Sequence, residues 1–229
     1  MTARLQSAAT ASSDRRRRAD RLLAAALRRA RPFAIAAMAL PGAWLVWQWG
    51  RLALGLPHAL GPNPQEWTHI FTGRWAIGLL IATLSLTPTR QLTGLVAPLL
   101  YRRMLGLAAF FYALMHIVNY VVLDQFFAWH EIARDIAKRP YILAGLAAFL
   151  VLVPLAATST RAAVRRLGAR RWQALHRLAY LALALASLHY LLQMKGLEPR
   201  PLVHAGLAGL VLGLRPLLAG RRMNRKRRR

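Results

Sequence analysis

The sequence predicts an all-α fold: a polytopic membrane bundle of six transmembrane helices with both termini cytoplasmic. Three observations lead there. The chain is 56% hydrophobic with a mean hydropathy of +0.31, too apolar for an ordinary soluble domain of its charge. Its apolar residues come in blocks close to the roughly 20 residues that cross a bilayer core. Its charge is one-sided, with 33 Lys and Arg against 7 Asp and Glu and a formal net charge of +26, and the basic residues cluster at the ends of the apolar blocks. In a soluble protein that excess would point to nucleic acid. Placed between apolar blocks it sets orientation in a membrane, and no nucleic-acid partner is expected.

Residues 1–31 form a basic cytoplasmic leader with Arg4, Arg15 to Arg18, Arg21, Arg28, Arg29 and Arg31. Its last part, Arg21–Arg31, has the pattern of a short amphipathic helix that would lie on anionic lipid; the alternative is a flexible tail. The apolar stretch after Pro32 lacks a small-residue cleavage site and more spans follow it, so a removable signal is not expected. The membrane domain covers residues 32–218. Span one is Pro32–Trp49, closing on Trp44, Trp47 and Trp49 as an interfacial belt. Span two is short as Trp75–Leu86 but long enough as His69–Pro88 if Arg74 snorkels to the interface. Spans three to six are Met104–Leu123, Tyr141–Thr158 with Pro154 bending its end, Trp172–Leu192 and Pro201–Leu218. A basic cytoplasmic tail, 219–229, closes the chain. With six spans, the leader, the Arg90/Arg102/Arg103 loop, the Arg161–Arg171 loop and the tail all fall on one side, and the alternate loops are mixed in charge. By the positive-inside rule that side is the cytoplasm.

Ionisable groups inside spans are costly and usually functional, and three histidines lie there: His116, His176 and His189. Histidine holds haem iron through one imidazole nitrogen. Spans three and five run the same way, so His116 and His189 reach similar depth in the outer leaflet and can take both axial positions of one haem. Such a site has no open position and suits electron transfer. The chain has no cysteine, which removes iron–sulfur clusters and covalent haem attachment and leaves haem b. His176 lies thirteen residues before His189, about 20 Å along a helix. It is either a ligand of a second haem or an alternative axial ligand. Its obvious partner positions, 13 or 14 residues before His116, are Arg103 and Arg102. An ideal helix would also turn His176 away from the face of His189. Arg102, Arg103, Arg170 and Arg171 can pair with haem propionates or a phosphate-bearing cofactor, or serve only as topology charges. His204, near the outer start of span six, is a candidate quinone contact or a donor behind an axial ligand. His58, His69 and His130 read as ordinary residues in or near outer loops. The bland alternative is that the membrane histidines only hydrogen-bond neighbouring helices.

Four segments carry a family resemblance: Thr72-Gly73-Arg74-Trp75-Ala76, Leu84-Ser85-Leu86-Thr87-Pro88, Tyr101-Arg102-Arg103-Met104-Leu105-Gly106-Leu107, and Trp172-Gln173-Ala174-Leu175-His176-Arg177-Leu178-Ala179-Tyr180. Together they resemble the MsrQ (formerly YedZ) family, within the ferric-reductase-like transmembrane group, over about residues 33–218. The resemblance implies a six-helix bacterial inner-membrane subunit with haem b on His116, His176 and His189. It implies electrons from the quinone pool or a cytosolic flavin reductase, delivered to a periplasmic molybdopterin-containing methionine-sulfoxide reductase that repairs oxidised proteins. It also implies FMN, for which no motif is visible. The chain would then be an electron-transfer subunit and not the catalytic one. It lacks one helix-three histidine and the appended flavin or NADPH domain of the wider group, so an external donor is needed. The alternatives are a self-contained transmembrane ferric or quinone reductase, and a cofactor-free transporter or assembly factor.

Overall fold

The structure, a computed structural model, describes residues 2–194, 196 and 198–227, with side chains for residues 14–214 (195 and 197 apart) and 217. Every regular element among the described residues is helical: α1 (Thr2–Ala53), α2 (Pro64–Thr93), a 3-10 turn (Ala97–Tyr101), α3 (Arg102–Val118) running into a π-helical segment (Asn119–Asp124), α4 (Trp129–Lys138), α5 (Pro140–Ala157), α6 (Arg161–His176), α7 (Ala179–Leu192) and α8 (Pro199–Arg227). Five helical stretches among the described residues are long and apolar enough to cross a membrane: 14–53, 64–93, 97–124, 140–157 and 161–192. The sixth expected span, Pro201–Leu218, lies within α8, and the tail side chains lie outside the described residues.

The core is an antiparallel pairing of α2 with α3 and of α5 with α7, joined through α3–α5 and α2–α7 contacts, with α8 laid across α2 and α7. Ile77, Leu80 and Leu84 of α2 meet Ala109 and Tyr112 of α3, Leu152 of α5, and Ala182 and Leu183 of α7 in one buried cluster. The small residues let the helix backbones approach closely, as membrane helices require in the absence of a hydrophobic drive between them.

Helix α2 begins with a reciprocal cap. The Asn63 side chain accepts the Glu66 N–H at 3.2 Å and donates to the Glu66 carboxylate at 3.1 Å, and Pro64 takes the first-turn position its ring favours. The helix extends past Pro88, where the second span was expected to stop, and ends at Gly94 in the left-handed region with φ +78°. Proline removes one amide donor. Around it, Ser85 Oγ and Thr89 Oγ1 return to the carbonyls of Ala82 and Ser85 at 2.8 and 2.9 Å, the usual way a membrane helix accommodates a proline. In α1 the corresponding break is Pro41. There Tyr112 Oη donates to Met38 O at 2.8 Å and accepts the Gly42 N–H at 2.9 Å. One buried hydroxyl thus bridges the carbonyl and amide on either side of the proline and ties α1 to α3.

Four segments differ from expectation. The leader is continuous with the first span in one 52-residue helix, because nothing in Arg21–Arg31 stops a helix and Pro32 only bends one. The segment carrying Arg161, Arg165, Arg166, Arg170 and Arg171, expected as an inner loop, is helix α6, capped by the Thr160 side chain on the Ala163 amide at 3.1 Å and broken internally at Gly168, φ +74°. The expected fifth span is not one straight helix: a turn at Arg177–Leu178 separates α6 from α7. The connection after span three contains the amphipathic α4. Its Ile132 is buried, Arg134 pairs with Glu131 on the exposed side at 2.9 Å, and Arg139, just past the helix end, pairs with the largely covered Asp135 at 3.1 Å.

The leader also docks. Asp20 Oδ1 accepts the amides of Val96 and Ala97, each at 2.8 Å, and Tyr101 Oη donates to Leu27 O at 2.7 Å. Asp20 thereby caps the 3-10 turn that leads into α3. Removing a cap of this kind costs about 1 kcal/mol, a factor of about five in the undocked population. Asp20→Ala is expected to raise the rate of tryptic cleavage among Arg15–Arg21 several-fold while leaving the bundle protected. Unchanged cleavage would show that the leader does not depend on this contact.

Candidate functional site

One end of four antiparallel helices, the end expected to face outward, brings the candidate residues together. His116 lies near the C-terminal end of α3 and His189 near that of α7; α2 and α5 run the other way and place their first turns at the same level. The His116 and His189 rings have centroids 6.0 Å apart with planes at 88°. With metal–imidazole bonds of about 2 Å, two rings on opposite sides of one iron stand about 6 Å apart.

Both rings are oriented from behind. His116 Nδ1–H donates to the carbonyl oxygen of His69 at 3.1 Å, with Thr72 Oγ1 at 3.4 Å. His189 Nδ1–H donates to the carbonyl oxygen of Tyr141 at 2.6 Å. A carbonyl only accepts, so each Nδ1 carries the proton and each Nε2 keeps its lone pair. A backbone carbonyl behind the imidazole is the common way to fix a metal-binding histidine. Two glycines make room for the rings. A Cβ on Gly73 would sit 3.3 Å from His116 Nδ1 and Cε1, and a Cβ on Gly145 would sit 2.7 Å from His189 Nδ1. Two imidazoles are too few for a bare transition-metal ion. They are the number needed by an iron whose other four ligands come from a porphyrin, and these residues fit haem b.

Several residues here escaped the sequence reading. His69, read as an outer-loop residue, lies against His116 with ring centroids 4.1 Å apart and planes tilted at 45°. Asn119, buried at 2% exposure, donates to His69 Nδ1 at 2.6 Å and to Gln65 O at 3.1 Å. Arg74, expected to snorkel to the interface, points into the bundle and donates from Nε to the Tyr190 hydroxyl of α7 at 3.3 Å. The available signal was helical spacing: Gln65, His69, Thr72 and Gly73 share one face of α2.

His176 does not join the outer pair. It is the last residue of α6, stacked on Trp172 with centroids 3.9 Å apart. Thr158 Oγ1 donates to Pro154 O at 2.6 Å and therefore accepts from His176 Nε2–H at 3.1 Å, so Nδ1 is the ring nitrogen left open. His176 lines a cavity of about 350 Å³ at the opposite end of the bundle together with Trp172, Arg102, Arg103 and Arg161, and among the described residues no carboxylate lines it. Arg170 and Arg171 are exposed on α6 and lie off that cavity. His204 Nδ1 donates within its own helix to Arg200 O at 2.8 Å, with its ring 5.6 Å from that of Tyr190.

Comparison with known proteins places this arrangement. The model of the ferric reductase like transmembrane component matches residues 72–187, which contain His116 and His176 and stop just before His189. The chain is similar to the protein-methionine-sulfoxide reductase heme-binding subunit MsrQ of Rhodospirillum rubrum, 51% identical over 178 residues, which are 78% of this chain and 84% of that protein. It is similar to the subunit of the same name from Brucella anthropi, 41% identical over 181 residues, 75% of this chain and 81% of that one. It is also 39% identical to the magnetosome protein MamZ of Magnetospirillum gryphiswaldense over 188 residues, 81% of this chain but 28% of MamZ. With a family match over half its length and MsrQ relatives aligned along most of it, the chain belongs to the ferric-reductase-like transmembrane family, in its MsrQ branch.

Proposed function

We propose that the chain is the haem b electron-transfer subunit of a periplasmic protein-methionine-sulfoxide reductase system. In this reading it crosses the bacterial inner membrane six times, with both termini cytoplasmic. Electrons enter from the quinone pool or from a reduced flavin, FMN or the product of a cytosolic flavin reductase. They leave to a periplasmic molybdopterin-containing partner that reduces methionine sulfoxide in oxidised proteins. The observation that carries the reading is the outer histidine pair: His116 and His189, 6.0 Å apart, each with Nδ1 tied to a carbonyl. The names of the MsrQ relatives support the haem and the reductase system.

His116 and His189 would hold the iron through Nε2, and the carbonyls of His69 and Tyr141 keep both rings in the tautomer that leaves Nε2 free for it. Arg74, on α2 near them, has a guanidinium suited to a propionate. Haem b bound there would supply one-electron transfer. On the inner side Arg102, Arg103 and Arg161, with the neutral His176 beside them, form a cationic pocket suited to the anionic groups of a second haem or a flavin donor. Arg170 and Arg171 serve as topology charges. An apolar crevice of about 420 Å³ between Leu27, Met38, Leu86, Tyr101, Met104 and Leu105 supports access by a lipid-borne quinol. His204 lies outside both places and contacts quinone only if the donor approaches along α8.

The test is a reduced-minus-oxidised visible spectrum with haem quantitation on the purified full chain, followed by anaerobic addition of a quinol. A low-spin b-type spectrum, with at least one haem per chain that the quinol reduces, is the expected result. A folded, colourless preparation overturns it and leaves a cofactor-free transporter or assembly factor. The match to the ferric reductase like transmembrane component over residues 72–187 favours one second reading, a self-contained ferric or quinone reductase. Steady turnover of a ferric chelate by the haem-loaded chain, with quinol and no partner subunit, would establish it.

A further inference from the structure

His116 rests on one face of α2, and His69 supplies two of the contacts there. Its carbonyl oxygen takes the His116 Nδ1–H at 3.1 Å. Its ring lies against the His116 imidazole, centroids 4.1 Å apart and planes at 45°. The His69 ring is itself locked. Asn119 Nδ2 donates to His69 Nδ1 at 2.6 Å and to Gln65 O at 3.1 Å, so both amide hydrogens of this buried side chain are committed and it cannot turn without stranding a donor. Asn119 follows His116 by three residues on the same face of α3, and the π-helical segment begins at it; such wide turns recur at functional sites. Thr72 Oγ1 lies 3.4 Å from His116 Nδ1, and Gly73 leaves the ring room that a side chain would fill, since a Cβ there would sit 3.3 Å from Nδ1 and Cε1. The outcome of these restraints is a definite ring plane, at 88° to that of His189.

We propose that His69, locked by Asn119, is a positioning residue that holds the His116 imidazole nearly perpendicular to the His189 imidazole. This rests on the haem reading above. It goes beyond ligand identity, because the angle between axial imidazole planes is an electronic property of the iron. Near-perpendicular planes give ferric low-spin haem a highly anisotropic electron paramagnetic resonance signal, and near-parallel planes give an ordinary rhombic one with a smaller largest g value. His69 itself stays off the iron.

The experiment is low-temperature resonance of the oxidised full chain as wild type, His69→Ala, Asn119→Ala, His69→Phe and His130→Ala, with haem content measured on each. The wild type is expected to show the highly anisotropic signal. His69→Ala and Asn119→Ala are expected to keep haem and to shift toward the rhombic signal. His69→Phe keeps a ring against His116 but offers Asn119 no acceptor, and is expected to shift as well. His130→Ala, exposed on α4, is expected to leave the signal in place. An unmoved signal in both His69→Ala and Asn119→Ala would overturn the proposal. So would haem loss in His69→Phe as complete as in His116→Ala, which would make His69 a ligand. A haem-free wild type defeats the haem reading and this proposal together, whereas a haem-loaded wild type with an unmoved signal in the variants defeats the positioning role alone.

Discussion

Alanine at His116 or at His189 is expected to remove the low-spin b-type spectrum, with haem content falling at least tenfold in each. Disturbing only the hydrogen-bond partner of a metal ligand costs roughly 10–100-fold in affinity, and losing the ligand costs more. The two positions are expected to be equivalent because their environments match: each ring has Nδ1 on a carbonyl and one face against a glycine of the neighbouring helix. His176→Ala is the informative comparison. Its Nε2 is engaged by Thr158 and it sits beside Trp172 at the end of the bundle away from His116 and His189, so the spectrum of their haem should survive its loss. Any haem lost with His176→Ala would be a separate, inner one. Retention of the full spectrum in His189→Ala, together with its disappearance in His176→Ala, would reverse the assignment.

The second large effect is expected at a residue with no side chain. A Cβ at Gly145 would lie 2.7 Å from Nδ1, 2.9 Å from Cε1 and 3.1 Å from Cγ of His189, closer than real Cβ atoms come. Gly145→Ala must therefore push the ring off its Tyr141 hydrogen bond or force α5 and α7 apart, and overpacking of this kind costs about 1–3 kcal/mol. Haem retention is expected to drop roughly 5- to 150-fold, with a shifted spectrum in whatever remains. Gly73→Ala, at 3.3 Å from His116, asks a few tenths of an ångström and should show a graded version of the same effect. Gly78→Ala, with nothing within 4 Å, should behave as wild type. Equal behaviour of the three variants would show that close packing against the histidines does not set haem binding.

These two sets of residues were unequally visible in the sequence. His116 and His189 stand out because an imidazole in an apolar run is rare and expensive. Gly73 was quoted only as part of a family-like run, and Gly145 sits in an Ala- and Leu-rich stretch where a glycine draws no attention. A glycine required by close approach is recognisable only once the atom it yields to has a position. His69 was misread for a related reason. Its distance from the outer loop is a matter of where α2 begins, and the Asn63–Glu66 cap starts that helix six residues before it, not after it. Arg74 was assigned to the interface because a lone charge near a span end usually snorkels; its partner, the Tyr190 hydroxyl across the α2–α7 contact, is what the chain alone could not show.

Linear features carried the helical class, the apolar blocks and the histidines within them. Hydropathy, charge and residue type are properties of the chain read one position at a time. Which histidines meet, which one stays behind, and how their planes are held depend on helix register and on interruptions at Gly168 and Arg177–Leu178. Those are consequences of side chains from four different helices packing against one another. The thirteen-residue step from His176 to His189 has a fixed rotation only on an unbroken helix. Packing at Trp172, Thr158 and the α6–α7 turn removes that condition, and only the folded bundle could show it.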